Sequence, residues 1–282
     1  NNLVIKNEQL KSRYQQLHIK TSAVIPQANL VGEAGQINSI FTDTKFSLAQ
    51  SFNFPKVYTS QRELFEEEWK SSLLNVNVKE GVLKKQVAQV YYGILYTEEK
   101  KKLLQYTDSL YTAFLKKAEL RLAKGESNIL EKVFAEAQLG QVSIQLNQLK
   151  QDSVILQLQF QLLLNTTFLL VPGKDSYHMD LISLPDTARL KEHPLIKSIR
   201  HQQQIAEASL QLEKSRLLPD LNVSYINTSI RGTGADDKVY GSSKRFNSVQ
   251  VGLGIPIFSQ AQRNKITNAK FTKQVAESNL SV

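Results

Sequence analysis

The 282-residue chain is 41% hydrophobic with a mean hydropathy of −0.30, enough for one or two packed domains. A helical membrane protein is excluded, for no run approaches the roughly 18–20 apolar residues of a membrane-spanning helix. The lack of cysteine excludes disulfides and thiolate sites, and the net charge of +9 comes from Lys and Arg mixed with Glu along helical stretches, the pattern of solvated helix faces rather than a nucleic-acid surface.

Residues 3–20 read as a helix, with Leu3, Ile5, Leu10, Tyr14 and Leu17 among polar neighbours. Pro26, which lacks an amide hydrogen and favours extended geometry before it, is expected to end that helix. Phe46, Leu48, Gln50, Phe52 and Phe54 then alternate with Ser47, Ala49, Ser51 and Asn53, the period of two of a strand. From 57 to 122 there is no proline, and Gly81 and Gly93 are the only glycines. A helix of that length reaches on the order of 100 Å at 1.5 Å per residue. Globular domains seldom hold one, so it needs a partner helix to cover its apolar stripe.

The run 123–128 breaks the helix. Gly125 suits a left-handed helix end, and Ser127 or Asn128 can cap the next helix. The returning helix, 129 to about 165, carries a heptad seam at Leu139, Val142, Leu146, Leu149, Ser153, Leu156, Phe160 and Leu163, with Ser153 its one polar member. Residues 166–190 form a connector with turns at Pro172-Gly173 and Pro185-Asp186. A helix from 194 to 218 follows. Leu221, Val223 and Tyr225 alternate with Asn222 and Ser224, and Val249, Val251, Leu253 and Ile255 with Gln250, Gly252 and Gly254. The polar stretch 227–247 between them reads as a loop.

The first and last of these strand regions repeat one another. Pro26 and Pro55 bracket one hairpin, and Pro219 and Pro256 bracket the other, each preceded by a helix. The chain therefore reads as an internal duplication. Residues 1–190 form the first repeat, with a β-hairpin at 26–55 and a helical hairpin at 57–165. Residues 191–282 form the second, incomplete repeat, with a hairpin at 219–256 and the start of a long helix. The opening Asn1-Asn2, without an initiator Met, reads as a start inside the gene product, and by the duplication a second helical hairpin is expected outside this sequence.

Strands of about ten residues with one apolar face match those of transmembrane barrels. Two hairpins supply four strands, and an open four-stranded sheet cannot span a bilayer, because every backbone amide in lipid must be paired. If the hairpins enter a membrane, several copies must share a barrel, and the long helices would continue it as a tube.

Here the chain resembles the TolC-like outer-membrane efflux family. The motifs are Leu217-Leu-Pro-Asp-Leu221, Val251-Gly-Leu-Gly-Ile-Pro-Ile-Phe258 and, at the helical turn, Arg121-Leu-Ala-Lys-Gly-Glu-Ser127. Gly35-Gln-Ile-Asn-Ser-Ile-Phe41 with Gln50-Ser-Phe-Asn-Phe-Pro55 is similar to the heavy-metal members that work with resistance-nodulation-division pumps. The resemblance implies a mainly α fold with β-hairpins, a homotrimer with a twelve-stranded transmembrane β-barrel and an α-barrel. It also implies a periplasmic adaptor and an inner-membrane pump as partners, and a role as outer-membrane channel subunit for exported solute, heavy-metal cations among them. A soluble periplasmic coiled-coil adaptor or scaffold, and a channel for drugs or secreted proteins, stay open as alternatives.

A passive conduit needs no catalytic group, cofactor or bound metal, and none is expected here. His193 and His201 are eight apart, a poor spacing for one ion on a helix. His178-Met179-Asp180 is the one local group with metal-ligand chemistry, and a surface turn is its plainer reading. Glu66-Glu67-Glu68 could form a cation-attracting ring in an oligomer, though a solvated helix face is the commoner meaning of such a run. The turn is the candidate partner contact, through Arg121, Leu122, Ala123, Gly125 and Ser127, with a simple helix-hairpin turn as the alternative.

Overall fold

The structure, a computed structural model, describes residues 2–38, 40–170, 173 and 192–281. In chain order the elements are α1 (Leu3–His18), β1 (Asn29–Gly35), β2 (Asp43–Phe52), α2 (Pro55–Ala123), α3 (Ile129–Leu164), α4 (Pro194–Ser215), β3 (Asp220–Ser229), β4 (Gly232–Thr233), β5 (Val239–Tyr240), β6 (Arg245–Gly254) and α5 (Gln260–Ser281). Packing divides them into two compact units, one of residues 1–8 with 77–185 and the other of 9–76 with 186–282.

The first unit is a helical hairpin. α2 runs 69 residues without a break, as the lack of proline predicts. Every position of the heptad seam on α3 is buried or half-buried, Ser153 included. Val142 and Leu149 pack against Leu104 of α2, with Tyr111 and Leu146 at the edge of that cluster. Gly93 faces Leu156, whose Cδ2 lies 3.4 Å from where a glycine Cβ would stand. A narrow apolar stripe on each helix thus buries itself against the other, the arrangement a seam repeating every 3.5 residues dictates.

Both helix ends of this unit close in the same way. Gly125 has φ +75°, Glu126 N donates to Arg121 O at 2.8 Å, and Gly125 N donates to Leu122 O at 3.0 Å. Asn165 has φ 50°, with Thr166 N on Gln161 O and Asn165 N on Leu162 O. This pair of bonds around a left-handed residue satisfies carbonyls that the helix leaves open.

The second unit is built on one antiparallel sheet in the order β1-β2-β3-β6. The two hairpins expected from the sequence are therefore halves of one four-stranded sheet, joined along β2 and β3 from Lys45↔Thr228 to Phe52↔Leu221. α4 packs against α5, where Lys273 Nζ meets Glu207 Oε2 at 2.6 Å and Gln262 Nε2 donates to the Glu213 carbonyl at 2.8 Å.

Three boundaries differ from expectation. α1 stops at His18 and tightens into a 3₁₀ turn over Ile19–Thr21, so the helix has already ended when Pro26 is reached. α4 likewise ends at Ser215, not 218. The stretch 227–247 is not all loop, because β3 runs to Ser229, β6 starts at Arg245, and β4 pairs with β5 between them. Cross-strand bonds from Tyr225 and Asn227 to Asn247, each 2.7 Å, carry the ladder into this polar region, where hydropathy gives no strand signal.

Candidate functional site

The sheet has two chemically different faces. Register aligns Leu30, Leu48, Tyr225 and Val249 in one row. Gln50, Val223 and Val251 form the next row on that face, and Phe52, Leu221 and Leu253 the one after. The intervening residues fall on the opposite face: Ala49 with Ser224 and Gln250, and Ser51 with Asn222 and Gly252. The alternation read along single strands thus becomes an apolar band across all four. Val249, Val251 and Leu253 are 69%, 71% and 67% exposed, so no described residue covers the β6 side of the band. On the polar face the cross-strand pair Glu33–Lys45 closes at 3.2 Å.

Prolines bracket each hairpin. Pro55 is the first residue of α2, where its missing N–H has no partner to lose. Pro26 precedes β1 and offers its carbonyl to Gln50 Nε2 at 2.7 Å. Pro219 and Pro256 stand just before β3 and just after β6.

The loop ends of the two hairpins are tied together by Asp43, 1% exposed. Its Oδ1 accepts from Ser229 Oγ at 2.8 Å and from the Arg231 amide at 2.9 Å. Ser229 Oγ also accepts from Thr44 N at 2.9 Å, and Asn38 Nδ2 donates to the Ser229 carbonyl at 3.0 Å. Nothing in the local pattern around Asp43 marked it, since its partners lie far along the chain.

At the helical turn Arg121 Nη1 holds Glu131 Oε1 at 2.9 Å, Ser127 Oγ donates to the other oxygen of Glu131, and Asn128 Oδ1 accepts from the Glu131 amide. Arg121 and Ser127 are thus joined through Glu131, while Leu122, Ala123 and Gly125 belong to the helix end itself. Ile129 and Leu130, outside the expected contact set, stand 64% and 71% exposed beside the turn.

Two of the three glutamates in the acidic run on α2 pair within the chain. Glu66 pairs with Arg62 at 2.8 Å, and Glu67 with Lys70 at 2.6 Å and His201 Nε2 at 3.1 Å. Burial pushes the Glu68 carboxyl above its ordinary value, partly offset by His18. A carboxyl raised in the folded state contributes fully below the ordinary glutamate value and loses that contribution as pH rises through the raised one. Glu68→Gln is therefore expected to unfold at a higher temperature than wild type at pH 7 and at the same temperature in acid. Equal midpoints at pH 7 would refute it.

His193 caps α4, its Nδ1 accepting from the Leu195 amide at 3.2 Å, and the His18 ring lies tilted against Phe65 with centroids 4.1 Å apart. The group His178-Met179-Asp180 lies outside the described residues, as does most of the connector. Among the described residues no cluster of three or more His, Asp or Glu side chains gathers as a metal site, and no helix is long and apolar enough to cross a membrane.

No family profile and no curated protein matches the chain. Solved structures do. CusC, described for conformational changes accompanying folding and transmembrane channel formation, is 16% identical with a TM-score of 0.76, over 99% of this chain and 68% of that one. The outer-membrane channel OprN is 15% identical with a TM-score of 0.80, over 100% of this chain and 67% of that one. The CmeC outer membrane channel of Campylobacter jejuni is 15% identical with a TM-score of 0.75, over 100% and 64%. The chain thus spans about two-thirds of the length of these channels. It has the TolC-like channel fold, mainly helical with β-hairpins feeding one sheet.

Proposed function

We propose that the chain is a subunit of an outer-membrane efflux channel, conducting exported solute passively, with heavy-metal cations as cargo. The observation that carries this reading is the sheet: one exposed apolar face, one small and polar face, and β1 and β6 each paired on one side only among the described residues. Such a sheet meets the bilayer's demand for paired amides only when copies join edge to edge into a closed barrel. With the fold of outer-membrane channels behind it, three copies giving twelve strands is the assembly we favour. α2 and α3 would extend into the periplasm, and their turn at 121–128 would meet an adaptor that links the channel to an inner-membrane pump. The segments 1–190 and 191–282 are read as two repeats of one ancestral unit. This role calls for no catalytic group.

Mass measurement of the full-length protein in detergent is expected to give a trimer, and a stable monomer would count decisively against the shared barrel. Cargo is a separate matter. Cells lacking the gene are expected to become sensitive to one or more of copper, silver, zinc and cobalt. Sensitivity confined to antibiotics would move the cargo to drugs and leave the channel in place.

A further inference from the structure

At the loop end of the apolar face stands a charge that conduction does not use. Arg245, the first residue of β6, pairs with Ser229, one row beyond Asn227 and Asn247 and on the same face as Val249 and Val251. Its Nε donates to Asn227 Oδ1 at 2.7 Å, Nη1 to Thr44 Oγ1 at 2.6 Å, and Nη2 to the Asn227 carbonyl at 3.3 Å. The guanidinium also lies over the ring of Phe46, 5.5 Å from its centroid. Neutral groups therefore hold it in place without neutralising it, and no described carboxylate forms an ion pair with it. Lys45, on the opposite face, is by contrast paired with Glu33.

A second donor lies one row away. Asn247 Oδ1 accepts from both Tyr225 Oη and Asn227 Nδ2, which leaves its amide nitrogen free to donate. An arginine in the middle of a lipid-facing strand costs about 2–4 kcal/mol, but one at the interface costs about 0–1 kcal/mol. Arg245 sits where the band ends. A guanidinium is weakly hydrated, and its fork of N–H groups matches phosphate oxygens two at a time.

We propose that Arg245, with Asn247 beside it, binds the phosphate of an anionic lipid headgroup at the loop-end rim of the band. This rests on the reading of the sheet as membrane-inserted. Charge complementarity names the occupant: an uncompensated cation at the border of an apolar surface faces lipid headgroups when that surface faces lipid tails.

The test uses full-length protein reconstituted into phosphatidylcholine vesicles with and without a minority of phosphatidylglycerol, followed by measurement of the lipid retained on extraction. Wild type is expected to retain the anionic lipid about tenfold over its share, the worth of one charged hydrogen bond. Arg245→Gln is expected to lose that enrichment, and Arg245→Lys, which keeps the charge without the fork, to lose about threefold. Lys45→Gln removes a charge from the other face and is expected to change nothing. An unchanged preference in either Arg245 variant overturns the proposal, as does displacement of the lipid by inorganic phosphate, which would mark a free-anion site. Wild type that inserts without preference sinks this inference alone. Wild type that inserts into neither vesicle sinks the channel reading and this inference with it.

Discussion

Asp43→Ala is expected to destabilise the sheet by about 2 kcal/mol, since a buried donor left without its acceptor costs about 1–3 kcal/mol. Two donors lose their acceptor at once, the Ser229 hydroxyl and the Arg231 amide. Ser229 is itself 1% exposed, so water cannot replace the lost oxygen without the loops moving apart. The damage falls on the seam between β2 and β3, which alone joins the first hairpin to the second within the sheet. Asp43→Asn keeps an acceptor at the Oδ1 position and is expected to lose less. The strand signal in circular dichroism, followed with temperature, reads both variants. An alanine variant that melts with wild type would show that the seam holds without this lock.

Changes at the helical turn are expected to abolish export while leaving insertion and assembly intact. Gly125→Leu tests the backbone, because φ is +75° there, although a Cβ would meet nothing within 4 Å. A left-handed conformation costs an ordinary residue about 1–2 kcal/mol, too little to unfold a helix pair of this length. Leu130→Asp tests the surface without touching the backbone, since that side chain is 71% exposed. A charge placed there should stop an apolar contact with an adaptor. Resistance of cells carrying each variant, with membrane-fraction yield as the control, decides the matter. If both variants confer full resistance, Arg121–Asn128 only closes the helical hairpin. If only Gly125→Leu fails, the helix end matters and the surface beside it does not.

The elements that sequence reading placed correctly are those whose cause is local. The proline-free run from 57 to 122 had no interruption and became α2. The heptad seam of α3 is a periodicity of the chain itself, and burying it needs only a second stripe on the helix that precedes it. Period-two alternation located the cores of β2, β3 and β6, and the bracketing prolines located the hairpin ends, though Pro26 stands beyond a helix that had already stopped. The turn could be found because Gly125 has one conformational use there. Ile129 and Leu130 lay outside the expected contact set, because exposure is a property of the fold and not of the local pattern.

By itself, then, the sequence determined the long antiparallel helices, the two amphipathic hairpins and their order, because helix periodicity, strand alternation and proline geometry act between near neighbours. Only the tertiary structure decided that β2 lies against β3, and with it the continuous apolar band, the Asp43 lock and the placement of Arg245. Alternation says which side chains share a face of one strand but not which strand lies beside it, and a one-residue slip would reverse every face. That choice rests on contacts such as Ser229 with Asp43 and Arg245 with Thr44, between residues 186 and 201 positions apart. No local pattern records a partner at that distance, because the energy that selects it exists only once both strands are in place.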